Sequence, residues 1–241
     1  VGATHPIEGK YGFLNAYAPS PDAKKAVAAI GSVWETMNIA VKPYPGCRLA
    51  HSAVDAIIEL RREHEFQANE IESVVIGLAG VSYDLTGAPE AQKRTPDNLV
   101  DAQFSVHFQA AIALQYARIQ WDDFSRLLRD EATAALMGKI SVIRETDFGE
   151  DDWSKFRARV SIELQDGRQI VRQIDLPKGE FGNFLTNLEL RAKFRSLVAP
   201  CIGQAGEIAL YDLILNFENE TVDNLFRRTM PAPDMLMVGE D

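Results

Sequence analysis

Only two cysteines occur in the 241 residues, Cys47 and Cys201, far apart and in no CxxC arrangement. That scarcity argues against a disulfide framework or a metal knuckle and makes reduced thiols of a cytoplasmic protein the expectation. Basic residues are in deficit, 25 Lys and Arg against 35 Asp and Glu, for a formal net charge of −10. Such a surface repels nucleic acid and anionic membranes, so neither is expected as a partner. Long apolar runs are missing too. Stretches such as Val74–Ala79 fall far below the roughly 20 residues that span a bilayer, and no secretory signal pattern is evident. Zinc spacing, a P-loop and a dinucleotide fingerprint are all lacking, and Gly77-x-x-Gly80 is too short to count as one. Neither a metal nor any other cofactor is therefore expected.

What is there is an ordinary globular composition, 46% hydrophobic and 25% charged. Residues 1–40 read as helical, with Ala26, Val27, Ile30, Val33, Trp34 and Met37 at helical spacing between Ala23 and Met37. Lys42-Pro43 and Pro45-Gly46 break that pattern. Ser52 and Asp55 resemble a capping box opening a helix with Val54, Ile57, Ile58 and Leu60. Ile71–Leu78 suits a buried strand, residues 80–102 a polar loop with Lys93 and Arg94, and Phe104–Gln115 a helix. Two shorter helical pieces are expected at Trp121–Leu128 and Glu131–Met137.

The clearest local signal spans 156–176. Phe156, Ala158, Val160, Ile162 and Leu164 alternate with polar residues, Asp166-Gly167 offers a tight turn with both central φ positive, and Ile170, Ile174 and Leu176 follow. After Pro177-Lys178-Gly179, Thr186-x-x-Glu189 is a capping box for a helix. Gly206–Phe217 and Thr221–Arg227 also read as helices, and the tail from Pro231 as loose.

Three stretches resemble the MmgE/PrpD family of cofactor-independent lyases and isomerases for small polycarboxylic acids. Ile7-Glu8-Gly9-Lys10-Tyr11-Gly12-Phe13 is similar to its "LEG-(R/K)-x-GF" run. Lys42-Pro43-Tyr44-Pro45-Gly46-Cys47-Arg48-Leu49-Ala50-His51-Ser52-Ala53-Val54-Asp55-Ala56 is similar to its "KPYP-x-C" signature, the most specific match. Ala102-Gln103-Phe104-Ser105-Val106-His107-Phe108 is similar to "AQFS-(L/V)-PY", departing at His107 (usually Pro) and Phe108 (often Tyr). Pro177-Lys178-Gly179 is a weaker fourth.

The resemblance implies an α+β fold. A lid-like α/β domain with an antiparallel hairpin, residues 42–180, would be flanked by helical segments 1–41 and 181–228 of an all-helical domain, with 229–241 as a tail. It also implies an active site in the cleft between the domains. Only the C-terminal half of such a protein is matched. An N-terminal half, as a missing segment or a partner chain, would supply the remaining acid/base residues. A homodimer or heteromer is expected.

Histidine titrates near neutrality and can move a proton at a carbon next to carboxylates. By its bare sequence His51 reads more readily as a core or capped histidine; the resemblance makes it the candidate catalytic residue. Arg48 could clamp a substrate carboxylate through its bidentate fork, against the alternative of a surface arginine. Lys42, Gln103, Ser105 and His107 complete the candidate substrate-binding set, with Lys42 otherwise a salt-bridge partner, Ser105 a helix cap and His107 a surface residue. The expected activity is that of a 2-methylcitrate dehydratase-type lyase. The alternatives are an isomerase or epimerase, a cofactor-free decarboxylase, or a non-catalytic subunit.

Overall fold

The computed structural model describes residues 2–148 and 156–230, and the expected tail from 231 lies outside them. The chain divides into two compact units, with the boundary between Ile39 and Ala40.

The first unit carries α1 (Phe13–Tyr17) and α2 (Ala23–Val27). The helix expected to run to Met37 stops after five residues. Gly31 takes φ +80, and Val33, Trp34 and Met37 stay exposed. So short a helix gains little from its own hydrogen bonds without a packed face.

The second unit holds the core. After α3 (His51–His64) and β1 (Ile71–Leu78), the stretch expected as a loop is a chain of short helical pieces. These are α4 (Gly80–Ser82), a π-turn at Tyr83–Gly87, α5 (Glu90–Arg94) and α6 (Leu99–Gln103). There follow α7 (Val106–Tyr116), α8 (Asp123–Leu127), α9 (Glu131–Gly138) and β2 (Ile140–Arg144), the last a strand not anticipated. Next come β3 (Ala158–Leu164), β4 (Gln169–Ile174), α10 (Asn187–Leu215) and α11 (Val222–Thr229).

The four strands form one sheet in the order β2-β1-β3-β4, parallel between β1 and β2 and antiparallel elsewhere. The alternation seen in the sequence sends Ala158, Val160, Ile162 and Leu164 to the buried face. There they join Val54, Ile57 and Leu60 of α3 and Phe108, Ile112 and Leu114 of α7 in one core. The fold is thus α+β, helices layered on one face of a mixed sheet. The hairpin differs from the two-residue expectation. Leu164 N donates to Arg168 O and Gly167 N to Leu164 O, both at 2.9 Å, and of Asp166 and Gly167 only Gly167 has positive φ, +85. This is the longer turn in which a glycine supplies the left-handed position.

Thr186 and Glu189 form the anticipated capping box of α10. The helix is long and apolar enough by length and composition to cross a membrane, although no continuous apolar stretch within it is that long. It folds back on itself, however, at Gly203 (φ 74, ψ 166), three residues after Pro200. Arg191 pairs with the buried Glu207, and Phe194 lies 5.4 Å from Tyr211. On a straight helix residues 191 and 207 would stand about 24 Å apart. Neither arm reaches the roughly 30 Å of a bilayer's hydrocarbon.

Gly179 (φ +86) accepts at its carbonyl from Val41 N at 2.8 Å, and a β-carbon there would lie 2.0 Å from Val41 O. Gly167 has open space around it. Alanine at 167 should therefore cost only the left-handed penalty of about 1–2 kcal/mol, whereas alanine at 179 must also displace backbone and should cost clearly more. Denaturant unfolding of the two variants checks this; equal losses would mean the Val41–Gly179 contact is absent in solution.

Candidate functional site

The site is built around the 42–51 segment. Its two prolines stop helix formation on either side of Tyr44, and the chain turns through Gly46 and Cys47 into α3. Cys47 N donates to the main-chain carbonyl of Gln103 at 2.8 Å, which joins the second and third of the matched stretches. The weaker fourth stretch is joined through Asp55. Its carboxylate accepts from Tyr44 Oη at 2.6 Å and from Lys178 N at 2.7 Å. Asp55 is not the first-turn carboxylate the sequence suggested. The helix begins at His51 with no side-chain cap, and Ser52 Oγ donates to Phe156 O. Burial pushes the Asp55 carboxyl up, with the bonds from Lys178 and Tyr44 pulling the other way. Burial, then the Asp55 charge, pushes the Tyr44 phenol up.

His51 is 2% exposed, and its ring meets Tyr44 edge-on at 5.2 Å. Burial is the main reason its pKa falls to about 3, with the positive charges of Lys42, Arg48 and Lys193 adding to the effect. A hydrogen bond to the Gly46 backbone opposes them, while Nε2 has no partner. A carbonyl only accepts, so the bond to Gly46 places the proton on Nδ1 and leaves Nε2 as a bare lone pair. Lys42 Nζ reaches the same Gly46 carbonyl at 3.4 Å. Arg48 is already engaged. Its guanidinium pairs with Glu180 and lies 5.0 Å over the Phe156 ring. A substrate carboxylate at Arg48 would exchange with Glu180.

The other candidates fall into a neighbouring cluster. Gln103 contributes through its backbone, its carbonyl also receiving Gln109 Nε2 at 2.9 Å. Ser105 is fully buried, caps α7 by accepting from Phe108 N at 3.1 Å and donates to Lys93 O, so its hydroxyl is spent on structure. His107 is also buried rather than on the surface, 3.4 Å from Glu90, which in turn pairs with Arg94 at 2.9 Å. Burial lowers its pKa to about 4 against the pull of Glu90, and its Nδ1 has no partner. Lys93, lowered mainly by burial, feels both Asp101 and Cys47 and so lies between the two clusters.

Tyr44, Asp55, Glu180 and Gln109 were not singled out as site residues by sequence. Beyond Tyr44 opens a cleft of about 490 Å³ lined by Arg62, Arg118, Lys178 and Lys193 together with Asp55 and Glu189. Among the described residues no group of three or more His, Cys, Asp or Glu could hold a metal ion.

Residues 44–218 match the model of the MmgE/PrpD C-terminal domain. The chain belongs to the MmgE/PrpD family. Among curated proteins, two cis-aconitate decarboxylase sequences from Aspergillus terreus are 26% identical over 216 residues, covering 86% of this chain and 43% of the relative. A cis-aconitate decarboxylase-like protein of Aspergillus oryzae is 24% identical over 211 residues, again with 43% of the relative covered. This MmgE/PrpD chain thus spans less than half the length of those relatives.

The two buried histidines make stability depend on pH. Their folded pKa values, about 3 for His51 and about 4 for His107, lie below the unfolded value of 6.5. The unfolded chain therefore binds more protons between about pH 4 and 6.5, and stability should fall as pH drops through that window. The limit is about 1.4 kcal/mol per pH unit for each histidine. Asp55, raised in the folded state, contributes the opposite sign above its own unfolded value. The clean comparison is the urea midpoint of wild type against His107→Gln at several pH values. The variant should show a shallower slope, and parallel curves would mean His107 is not buried neutral.

Proposed function

We propose that this chain supplies the C-terminal half of a cofactor-independent lyase acting on a small polycarboxylic acid, with His51 as the acid/base. The observation that carries the reading is a buried, neutral imidazole whose Nε2 is bare and whose neighbours, Lys42 and Arg48, are cations. A base of this kind can take the proton α to a carboxylate. The cations would stabilise the enolate-like charge that develops, and departure of hydroxide then completes a dehydration. In a decarboxylation the bond to the departing CO₂ supplies the electron pair, and the residue must instead deliver a proton to carbon. For that His51 must first be protonated, which a bound polyanion favours by countering Lys42 and Arg48.

The relatives' names favour decarboxylation and the unliganded state of His51 favours proton abstraction. Both reactions pass through the same kind of carbanion. Isomerisation would share that step and differ in where the proton returns. A segment corresponding to the rest of the relatives' length is part of the proposal, because one histidine and its cations do not furnish both an acid and a base.

A second reading, a non-catalytic subunit that binds a partner, rests on the second unit's own surface. Leu188, Leu215, Val222, Phe226 and Met230 on and beside α10 and α11 are all more than half exposed, and apolar surface of that extent marks an interaction face.

The test is turnover of a tricarboxylate panel, cis-aconitate and 2-methylcitrate included, by the chain assembled with an N-terminal complement. His51→Ala should lower turnover by about 10²–10⁴-fold while leaving the unfolding transition cooperative. Full activity in that variant would remove His51 from the chemistry. A wild-type assembly inert toward the whole panel would leave the partner-binding reading.

A further inference from the structure

The Gly46–Cys47 turn is held from below by a side chain that the mechanism does not use. Gln109 sits on α7 and is wholly buried. Its Nε2 donates to the Gln103 carbonyl at 2.9 Å, and its Oε1 has no partner. A β-carbon built on Gly46 would lie 2.2 Å from that Oε1 and 2.3 Å from Cδ. The amide of Gln109 therefore fills the space that any side chain at position 46 would need. An amide at the end of a flexible side chain can usually swing aside, but this one is enclosed and tied to Gln103.

One carbonyl closes the arrangement. Gln103 O receives both Gln109 Nε2 and Cys47 N, the latter at 2.8 Å. The peptide that carries Cys47 N is the one whose carbonyl belongs to Gly46. That carbonyl accepts from Lys42 Nζ and holds the His51 ring. Gln109 thus presses on the α-carbon and shares the anchor of the peptide that decides which nitrogen of His51 carries the proton. We propose that Gln109 is a positioning residue, packed on Gly46 and bonded to Gln103, which aims the Gly46 carbonyl at His51 and so keeps Nε2 bare. The proposal deepens the reading of His51 as acid/base and rests on it for its functional meaning. Its structural content stands without turnover.

The consequence is read at His51 itself. The groups facing its ring are Lys42, Arg48 and Lys193, whose charges act on it, the Tyr44 ring edge and the Gly46 carbonyl. The protein has four histidines, so ¹⁵N-labelled full-length chain gives a readable set of imidazole signals, with His51 assigned by His51→Gln. Wild type should show a single Nδ1–H tautomer at His51 that does not titrate above pH 5. In Gln109→Ala, with folding checked by cooperative unfolding, the signal should become a mixture of tautomers. Its titration midpoint should move further down, because the bond to the Gly46 carbonyl is what holds the His51 pKa up against burial and the cations. Gly46→Ala should produce a similar change in the wild-type background and little more in the Gln109→Ala background, because the steric conflict is gone.

A folded Gln109→Ala whose His51 tautomer and titration match wild type overturns the proposal. So do fully additive effects of the two alanines. If Gln109→Ala does not fold, Gln109→Met keeps the length without the amide, and an unchanged His51 spectrum in it is equally decisive. The same variants separate this proposal from the catalytic reading. A perturbed His51 in a protein that turns over no polycarboxylate would sink the catalytic reading and leave the positioning role intact. A catalytically active protein whose His51 ignores Gln109 would do the reverse.

Discussion

The carboxylate of Asp55 is the point through which distant parts of the sequence reach the site. It sits inside the second turn of α3, almost out of contact with solvent, and accepts from the phenol of Tyr44 and the amide of Lys178. The second donor lies 123 positions downstream. A buried carboxylate without such donors would carry a desolvation penalty of several kcal/mol, so the fold that buries Asp55 must also deliver both partners. Delivering Tyr44 sets the 42–47 segment against α3. Delivering Lys178 sets the turn after β4 beside it, where Gly179 receives Val41 and Glu180 receives Arg48. The sheet and helix layers bring these segments near one another; Asp55 decides their register.

From that register follows the state of His51, one turn earlier on the same helix. Enclosure removes water from the imidazole, and Lys42 and Arg48 approach from the segments that Asp55 has fixed. These two effects act in the same direction, and both disfavour the charged ring. The Gly46 carbonyl acts against them but is too weak to reverse the outcome. The result is a neutral base with its lone pair uncommitted, at a cost in stability that appears only in acid.

How much of this was legible in the sequence depended on whether the signal was local. The β3–β4 alternation, the position of the Asp166-Gly167 turn (though not its type) and the Thr186-Glu189 box are set by neighbours along the chain, and each was readable. The strand β2 was not, because Ile140–Arg144 directly follows α9 and its pairing with Val74–Leu78 depends on a crossover of about sixty residues. The helix expected through Met37 was read from a stripe that has no face to pack on within its unit. The spacing of Ser52 and Asp55 fits a capping box, yet the helix starts two residues earlier, with Ala50 as its N-cap, and both side chains are used on long-range contacts. Within the candidate site, the 42–56 signature placed Lys42, Arg48 and His51 in one region, whereas Glu180 and Gln109 carry no pattern. A glutamine in an apolar helix and a glutamate in a loop become informative only when the fold shows what they touch.

The charge of the site makes sense only when its compensations are counted with its cations. The protein as a whole is strongly acidic, and Arg48, Lys178 and Arg94 each already face a carboxylate: Glu180, Glu189 and Glu90 respectively. A site left with bare cations would carry their mutual repulsion in the folded state; one filled by internal carboxylates stores the guanidinium and ammonium groups until a competing anion arrives. Exchange of Glu180 for a substrate carboxylate at Arg48 trades one ion pair for another in the same place, so the net electrostatic gain is small. Selectivity for a polyanion must then come from engaging Lys42 and Arg48 at once, where the single carboxylate of Glu180 meets only Arg48 and Lys42 rests on a neutral carbonyl. Two cations at the mouth of one buried base favour a ligand with two carboxylates over a ligand with one, which is the class of acid proposed above.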